Sequence, residues 1–134
     1  MPAMALDSHA LLTFLRGEAG SEVVRGLLER ASEKDEPLHM TEVNYAEVQY
    51  IVRRKDGDKA WQEIGRELPT LPLVFHPVTR ELADVAAVFK SRFAVSLADA
   101  FAAALAKIRK AELVTGDPEF KALEGGIRIH WLRT

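Results

Sequence analysis

The sequence predicts an α/β fold built on a parallel sheet with helices on both faces, and three observations carry that reading. Short apolar runs of strand length alternate with longer segments of helical period. The connections between runs are long enough to be crossover helices, taken singly or in pairs. At 134 residues the chain suits one core that needs no staples. With no repeat, low-complexity tract or linker in view, residues 1–134 read as a single domain.

The first apolar run, Ala3–Leu6, reads as a buried strand, and Leu11, Leu12 and Leu15 follow with helical spacing. Val23, Val24, Leu27 and Leu28 recur at the spacing of a second helix face, which the charged turn SEKDEP ends. Leu38–Met40 is the second strand. Val43–Arg54 and Lys59–Leu68 form a helical pair joined at DGD, and TLP leads into the third strand, Leu73–Phe75. Leu82–Phe93 and Leu97–Ile108 are two more helices, joined across RFAVS. Leu113–Val114 is the fourth strand and Ile127–Trp131 a fifth candidate.

Composition excludes several classes of function. The chain has no cysteine, which rules out disulfides, zinc–thiolate sites and thiol catalysis. Its net charge is −2, from 18 basic and 20 acidic residues, so the whole molecule lacks the field of a strongly basic nucleic-acid binder. Two local clusters stand out, Arg53-Arg54-Lys55 with Lys59, and Lys107 with Arg109 and Lys110; both also read as solvated helix ends whose cations suit the dipole. No apolar stretch is long enough to span a bilayer, and MPAMALDSHA lacks the basic region and apolar run of a signal peptide. The expectation is a soluble cytoplasmic protein with no membrane partner.

In an open parallel α/β sheet, sites form beyond the carboxyl ends of the strands. Asp7 stands at the exit of the first strand, Thr41 and Glu42 at that of the second with Glu47 in the next helix, and Thr115 and Asp117 at that of the fourth. Asp99 lies in VSLADAFAAALA, where ten of twelve residues are apolar. A carboxylate there must cap a helix, pair with a cation or bind a metal, because burying it bare costs several kcal/mol. Each acid also has a plainer account. Asp7 caps a helix from Ser8, Asp117-Pro118 opens a helical turn, and Ser96-Leu97-Ala98-Asp99 is a loose capping box. Glu47 is harder to place at a surface, since Val43, Tyr50 and Ile51 surround it on its helix without a basic partner. Together, acids from distant segments with no interleaved cation repel one another, and Mg²⁺ or Mn²⁺ wants such oxygen donors. Phosphodiester hydrolysis is the chemistry that follows.

At these residues the sequence resembles the PIN-domain ribonucleases, and among them the VapC toxins of prokaryotic toxin–antitoxin pairs. The family's first acid matches Asp7 in ALDSHALLTFL, its second Glu47 in TEVNYAEVQYIV, and its third Asp99 in SLADAFAAALA; its Thr-x-Asp-x-x-Phe pattern matches Thr115, Asp117 and Phe120 in VTGDPEF. The resemblance spans nearly the whole chain, in order. It implies a three-layer α/β/α domain with a five-stranded parallel sheet, Mg²⁺- or Mn²⁺-dependent cleavage of RNA, a homodimer, and inhibition by a VapB-type antitoxin whose tail covers the acids. It further implies that Asp7, Glu47, Asp99 and Asp117 are the catalytic acids and hold one or two ions, with Ser8 and Thr115 hydrogen-bonding them. Glu119 stands where the family often has Asp, and Glu42 is an additional acid near the site; the roles of both stay open.

Other readings are a PIN nuclease of RNA processing outside any toxin pair, and a PIN-like module kept for binding. A phospho-receiver domain would end its third strand in an acid, and LPLVFHP does not. His9, His39, His76 and His130 show no paired ligand spacing and read as ordinary histidines, and Trp61 and Trp131 as packing residues.

Overall fold

The computed structural model describes residues 3–132. Five strands run β1 (Met4–Leu6), β2 (Leu38–Thr41), β3 (Leu73–His76), β4 (Glu112–Thr115) and β5 (Ile129–Trp131), all pairing in parallel in the order β3-β2-β1-β4-β5. The helices are α1 (Ser8–Leu15), α2 (Ser21–Lys34), α3 (Glu42–Asp56), α4 (Asp58–Glu67), α5 (Arg80–Arg92) and α6 (Leu97–Arg109). Short 3₁₀ turns cover Leu68–Thr70 and Pro118–Leu123. The expected α/β/α architecture with a five-stranded parallel sheet is what the chain forms. No described helix is long and apolar enough to cross a membrane.

Differences from the sequence reading lie at element ends, where polar caps decide. Thr41 ends β2 and caps α3 at once, its hydroxyl accepting the Asn44 N–H, so no loop separates strand from helix. Thr79 does the same for Leu82 and starts α5 two residues before the apolar pattern does. The α3–α4 turn at DGD uses Gly57 at φ +95°, a conformation that side chains disfavour. The fifth strand begins at Ile129, because Ile127 closes the preceding turn with its N–H donated to the Leu123 carbonyl.

The central strands β1, β2 and β4 are buried on both faces, and alternation divides the core. Ala5 and Leu113 face α5 and α6, while Met4, Leu6 and Val114 face α1 and α2. A third cluster, around Met40, Val48, Val52 and Trp61, seats α3 and α4. Five buried alanines of α6, at 100, 102, 103, 104 and 106, keep that helix thin, so it packs closely on Ala5 and on α5. This explains the alanine-rich stretch, and it carries Asp99 into the interior at the start of the helix.

Strand order places the site. The chain moves from β1 to one side through β2 and β3, then returns to the other side at β4, so β1 and β4 adjoin at the switch point. Leu6 registers with Val114, and the Asp7 N–H donates to the Val114 carbonyl at 3.4 Å. Asp7 and Thr115, over a hundred residues apart in sequence, leave the sheet side by side.

Candidate functional site

Asp7 leaves β1 in an extended conformation and caps α1, its Oδ1 accepting the Ala10 N–H at 2.8 Å. Its Oδ2 accepts the Thr115 hydroxyl at 2.5 Å. Capping and membership of an acidic cluster are therefore compatible in one fully buried carboxylate. The Thr115 Oγ1 also accepts the Asp117 N–H at 3.0 Å, and the Asp117 Oδ1 accepts the Glu119 N–H at 3.0 Å. One chain of hydrogen bonds thus runs from Asp7 through Thr115 to Asp117 and on to the backbone of Glu119.

Asp99 is not the cap of α6. Ser96 is, with its Oγ accepting the Asp99 N–H at 3.0 Å. Asp99 sits in the first turn and is only 7% exposed. Glu47, half-buried in α3, accepts a short hydrogen bond from the Ser8 hydroxyl at the start of α1. The structure brings Asp99, Asp117 and Glu119 closest together, with one carboxylate oxygen of each within 4.8 Å of the others. Asp7 and Glu47 flank that trio: Asp7 feels the charges of Asp99 and Asp117, and Asp99 feels that of Glu47. Glu42 is exposed at the first turn of α3 and lies outside the trio.

Burial drives the electrostatics. Desolvation raises the Asp7 pKa from 3.8 to about 8, with the charges of Asp99 and Asp117 adding to it, while the Thr115 hydroxyl and Ala10 N–H oppose the rise. Asp99 is raised to about 7, first by burial and then by Asp117, Glu47 and Glu119, against the Ser96 hydroxyl. Among the described residues no lysine or arginine forms an ion pair with any of these five acids. Hard oxygen donors converging without a cation are the donor set that Mg²⁺ or Mn²⁺ takes, and the trio fits such an ion.

Sequence reasoning missed Asn44. This fully buried side chain donates from Nδ2 to the Ala98 carbonyl at 3.1 Å and accepts the Thr41 hydroxyl on Oδ1 at 2.5 Å. It ties α3 to the first turn of α6, and so fixes Glu47 relative to Asp99. The signal was present in TEVNYAE, where an amide stands one turn before Glu47 on an apolar face. His9 was read as ordinary. Its ring lies over Gly116, where a Cβ would stand 2.6 Å from its Cε1, so the exposed imidazole occupies the rim between Asp7 and Asp117.

A parallel α/β/α sheet whose switch point gathers buried acids defines the class of acid-centred α/β domains. Within that class the chain belongs to the PIN domain family, whose model matches residues 4–126. Among proteins of curated function, none matches the chain. Several solved structures are similar to it. VapBC2 from Rickettsia felis bound to a DNA fragment from its promoter has TM-score 0.77 and 18% identity, over 96% of this chain and 98% of that one. DNA-bound VapBC from Salmonella typhimurium has TM-score 0.75 and 17% identity, over 99% and 100%. VapC20 from Mycobacterium tuberculosis, a sarcin–ricin loop cleaving toxin, has TM-score 0.71 and 16% identity, over 93% and 96%. At such identities the likeness is one of fold.

Proposed function

We propose that this chain, acting as one domain over residues 1–134, is a Mg²⁺- or Mn²⁺-dependent endoribonuclease and the toxin of a VapBC-type pair. The observation that carries the reading is Asp99, a buried carboxylate that neither caps its helix nor pairs with a cation, beside Asp117 and Glu119. Burial and the charges of Asp117, Glu47 and Glu119 raise its pKa to about 7, a cost that a bound divalent ion would relieve. Asp7, Glu47, Asp99 and Asp117 are the proposed acids, and proximity adds Glu119 to them. When bound, the ion would supply Lewis-acid stabilisation of charge developing on the phosphodiester during hydrolysis.

The chain's own groups do the positioning. Thr115 holds Asp7 and orients Asp117 through its backbone, Ser8 holds Glu47, and Asn44 locks the two helices that carry Glu47 and Asp99. The similarity to VapBC structures, and to a sarcin–ricin loop cleaving toxin, supports RNA as substrate and a VapB-type antitoxin as partner. An antitoxin segment bearing Arg or Lys would neutralise these acids and exclude both ion and RNA. A homodimer working in the cytoplasm completes the proposal.

The test compares wild type with Asp99→Asn, a near-isosteric change that leaves the Ser96 cap in place. Wild type should gain melting temperature with millimolar Mn²⁺ and lose the gain in EDTA, because an ion bound only to the native state stabilises it. Asp99→Asn should abolish the gain and slow cleavage of a mixed RNA pool by about a thousandfold, while melting in EDTA at or above the wild-type temperature. A folded Asp99→Asn protein that cuts RNA at the wild-type rate would overturn the metal-site reading. Harmless overexpression, with no rescue by a neighbouring small gene product, would remove the toxin role and leave the nuclease.

A further inference from the structure

Helix α3 carries two tyrosines with opposite fates. Tyr45 is packed edge-on against Trp61 and Phe75, with ring centroids 5.7 and 5.2 Å away, inside the cluster that seats α4. Tyr50 is 50% exposed, and the Arg54 guanidinium lies over its ring at 5.6 Å. This leaves a half-exposed ring with a guanidinium held against it on the surface of α3.

Tyr50 is three residues beyond Glu47, and Arg54 four beyond Tyr50, so all three share one stripe of the helix and lead away from the acids. Of the cations nearby, Arg53 pairs with Asp58 at 3.0 Å and Arg16 with Asp56 at 3.4 Å, while Lys55 and Lys59 form no ion pair among the described residues and lie off this stripe. Among the described residues Arg54 pairs with no carboxylate. The other large exposed apolar residues, Val74, Val78, Val88 and Leu97, belong to other elements, so Tyr50 is not part of an apolar patch along α3.

We infer that Tyr50 and Arg54 form a substrate subsite for single-stranded nucleic acid, in which an unpaired base stacks on the Tyr50 ring and Arg54 holds the adjoining phosphate. The inference rests on the nuclease reading and specifies its substrate as a strand with an accessible base face. A flat ring with a delocalised cation suits a base and its phosphate, and stacking is indifferent to sequence because every base has a π-face. A paired base, covered on both faces, has none to offer. The stripe sets the polarity of the track: the phosphodiester lies over the acids, and the strand continues along α3 toward its C-terminal end. Arg53, tied to Asp58, contributes no more than general positive charge.

The test measures anisotropy of a labelled, mixed-sequence single-stranded RNA in EDTA, with every protein carrying Asp99→Asn so that the RNA stays intact. Tyr50→Ala should raise Kd about tenfold and Tyr50→Phe should bind as the parent does, since stacking needs the ring and not the hydroxyl. Arg54→Gln should weaken binding and reduce the slope of log affinity against log salt by about one, the signature of a lost phosphate contact. Annealing the RNA to its complement should remove the sensitivity to Tyr50→Ala. With Mn²⁺ and Asp99 restored, Tyr50→Ala should raise KM and hold kcat.

Unchanged RNA affinity in both Tyr50→Ala and Arg54→Gln overturns the subsite, whether or not the wild type cleaves RNA. A wild type that cleaves, with variants that bind RNA normally but no longer capture a co-expressed partner protein, also overturns it and makes the stripe a protein contact. A wild type that neither binds nor cleaves RNA removes the nuclease reading and the subsite with it.

Discussion

At the carboxyl end of the sheet, Asp7, Glu47, Asp99, Asp117 and Glu119 gather without a cation among them. At the amino end lies a cavity of about 430 Å³, bordered by Arg30, Lys34 and Arg109 as well as Asp35 and Glu36, with His39 on its wall. One helix joins the two, since α6 begins beside Asp99 and ends at Arg109, each charge matching its end of the helix dipole. The amino end mixes charges of both signs, and its perturbed group is His39, which burial and the charge of Arg109 keep neutral. The carboxyl end gathers like charges around two buried carboxylates, and burial together with those neighbours raises Asp7 and Asp99 toward neutrality. On the proposed reading, uncompensated burial, rather than the size of a hollow, marks the place where chemistry would be done.

The sharpest way to break that comparison is to disturb one polar group at each end. Thr115→Val removes the donor to Asp7 and the acceptor of the Asp117 N–H, leaving buried groups unpaired at about 1–3 kcal/mol and lowering Mn²⁺ affinity about 10- to 100-fold. Thr115→Ser should restore both. Arg109→Gln at the opposite end should leave Mn²⁺ affinity and cleavage within a factor of about two and cost at most about 1 kcal/mol through the helix end. Titration calorimetry with Mn²⁺ and melting in EDTA measure both; equal effects at the two ends would erase the distinction.

Titration separates the ends by sign. The raised carboxyls of Asp7 and Asp99 give stability that is complete below about 3.8, their ordinary value, and is lost as pH climbs toward about 7 and 8. His39 works the other way. Burial, then the charge of Arg109, lowers it from 6.5 to about 4, so its contribution is present above 6.5 and lost as pH falls through 4. The metal-free protein should therefore lose several degrees of melting temperature between pH 5 and 8, and Asp99→Asn should flatten that loss. His39→Gln should instead raise the relative stability at pH 4 to 5. Saturating Mn²⁺ should abolish the alkaline loss alone, since the ion takes up the charge of the acids and does nothing for His39. A metal-free melting temperature that climbs from pH 5 to 8 would contradict the burial argument.

The parts of this molecule legible in sequence are those set by local periodicity. Buried runs gave the strands, three-to-four spacing gave the helices, and the crossover rule made the sheet parallel. Placing acids at strand exits needed only the rule that chain reversal concentrates function there. What was illegible depends on pairing across the sheet. That Asp7 meets Thr115 follows from β1 adjoining β4, which no local pattern states. Glu119 stayed open because its place is set by the tight 3₁₀ turn after Pro118, with three residues per turn in place of 3.6. Asn44 was overlooked because a polar residue on a helix reads as surface until its partner, the Ala98 carbonyl, is brought in from 54 residues away. Tyr45 and Tyr50 looked alike in sequence, and only the packing of α4 divides them.

The smallest expected effect lies at the rim of the acidic end, where the comparison is sharpened by tolerance. In Gly116→Ala the new methyl would stand 2.6 Å from the His9 Cε1, too close for both to stay. The backbone is not the obstacle, because Gly116 does not adopt the positive φ seen at Gly17, Gly20 and Gly57. What must move is the exposed end of a side chain whose one described side-chain partner, the Thr13 hydroxyl, is 3.5 Å away. A single rotamer change relieves the clash, so Gly116→Ala should alter stability by less than about 1 kcal/mol and leave Mn²⁺ affinity unchanged. A double-mutant cycle gives the decisive reading. If the imidazole is the only obstacle, Gly116→Ala should have no effect in a His9→Ala background, and the coupling should equal the whole single-mutant effect. A loss above 2 kcal/mol that survives His9→Ala would mean that the strand exit itself is intolerant, and that the rigid interior of the acidic end extends to its surface.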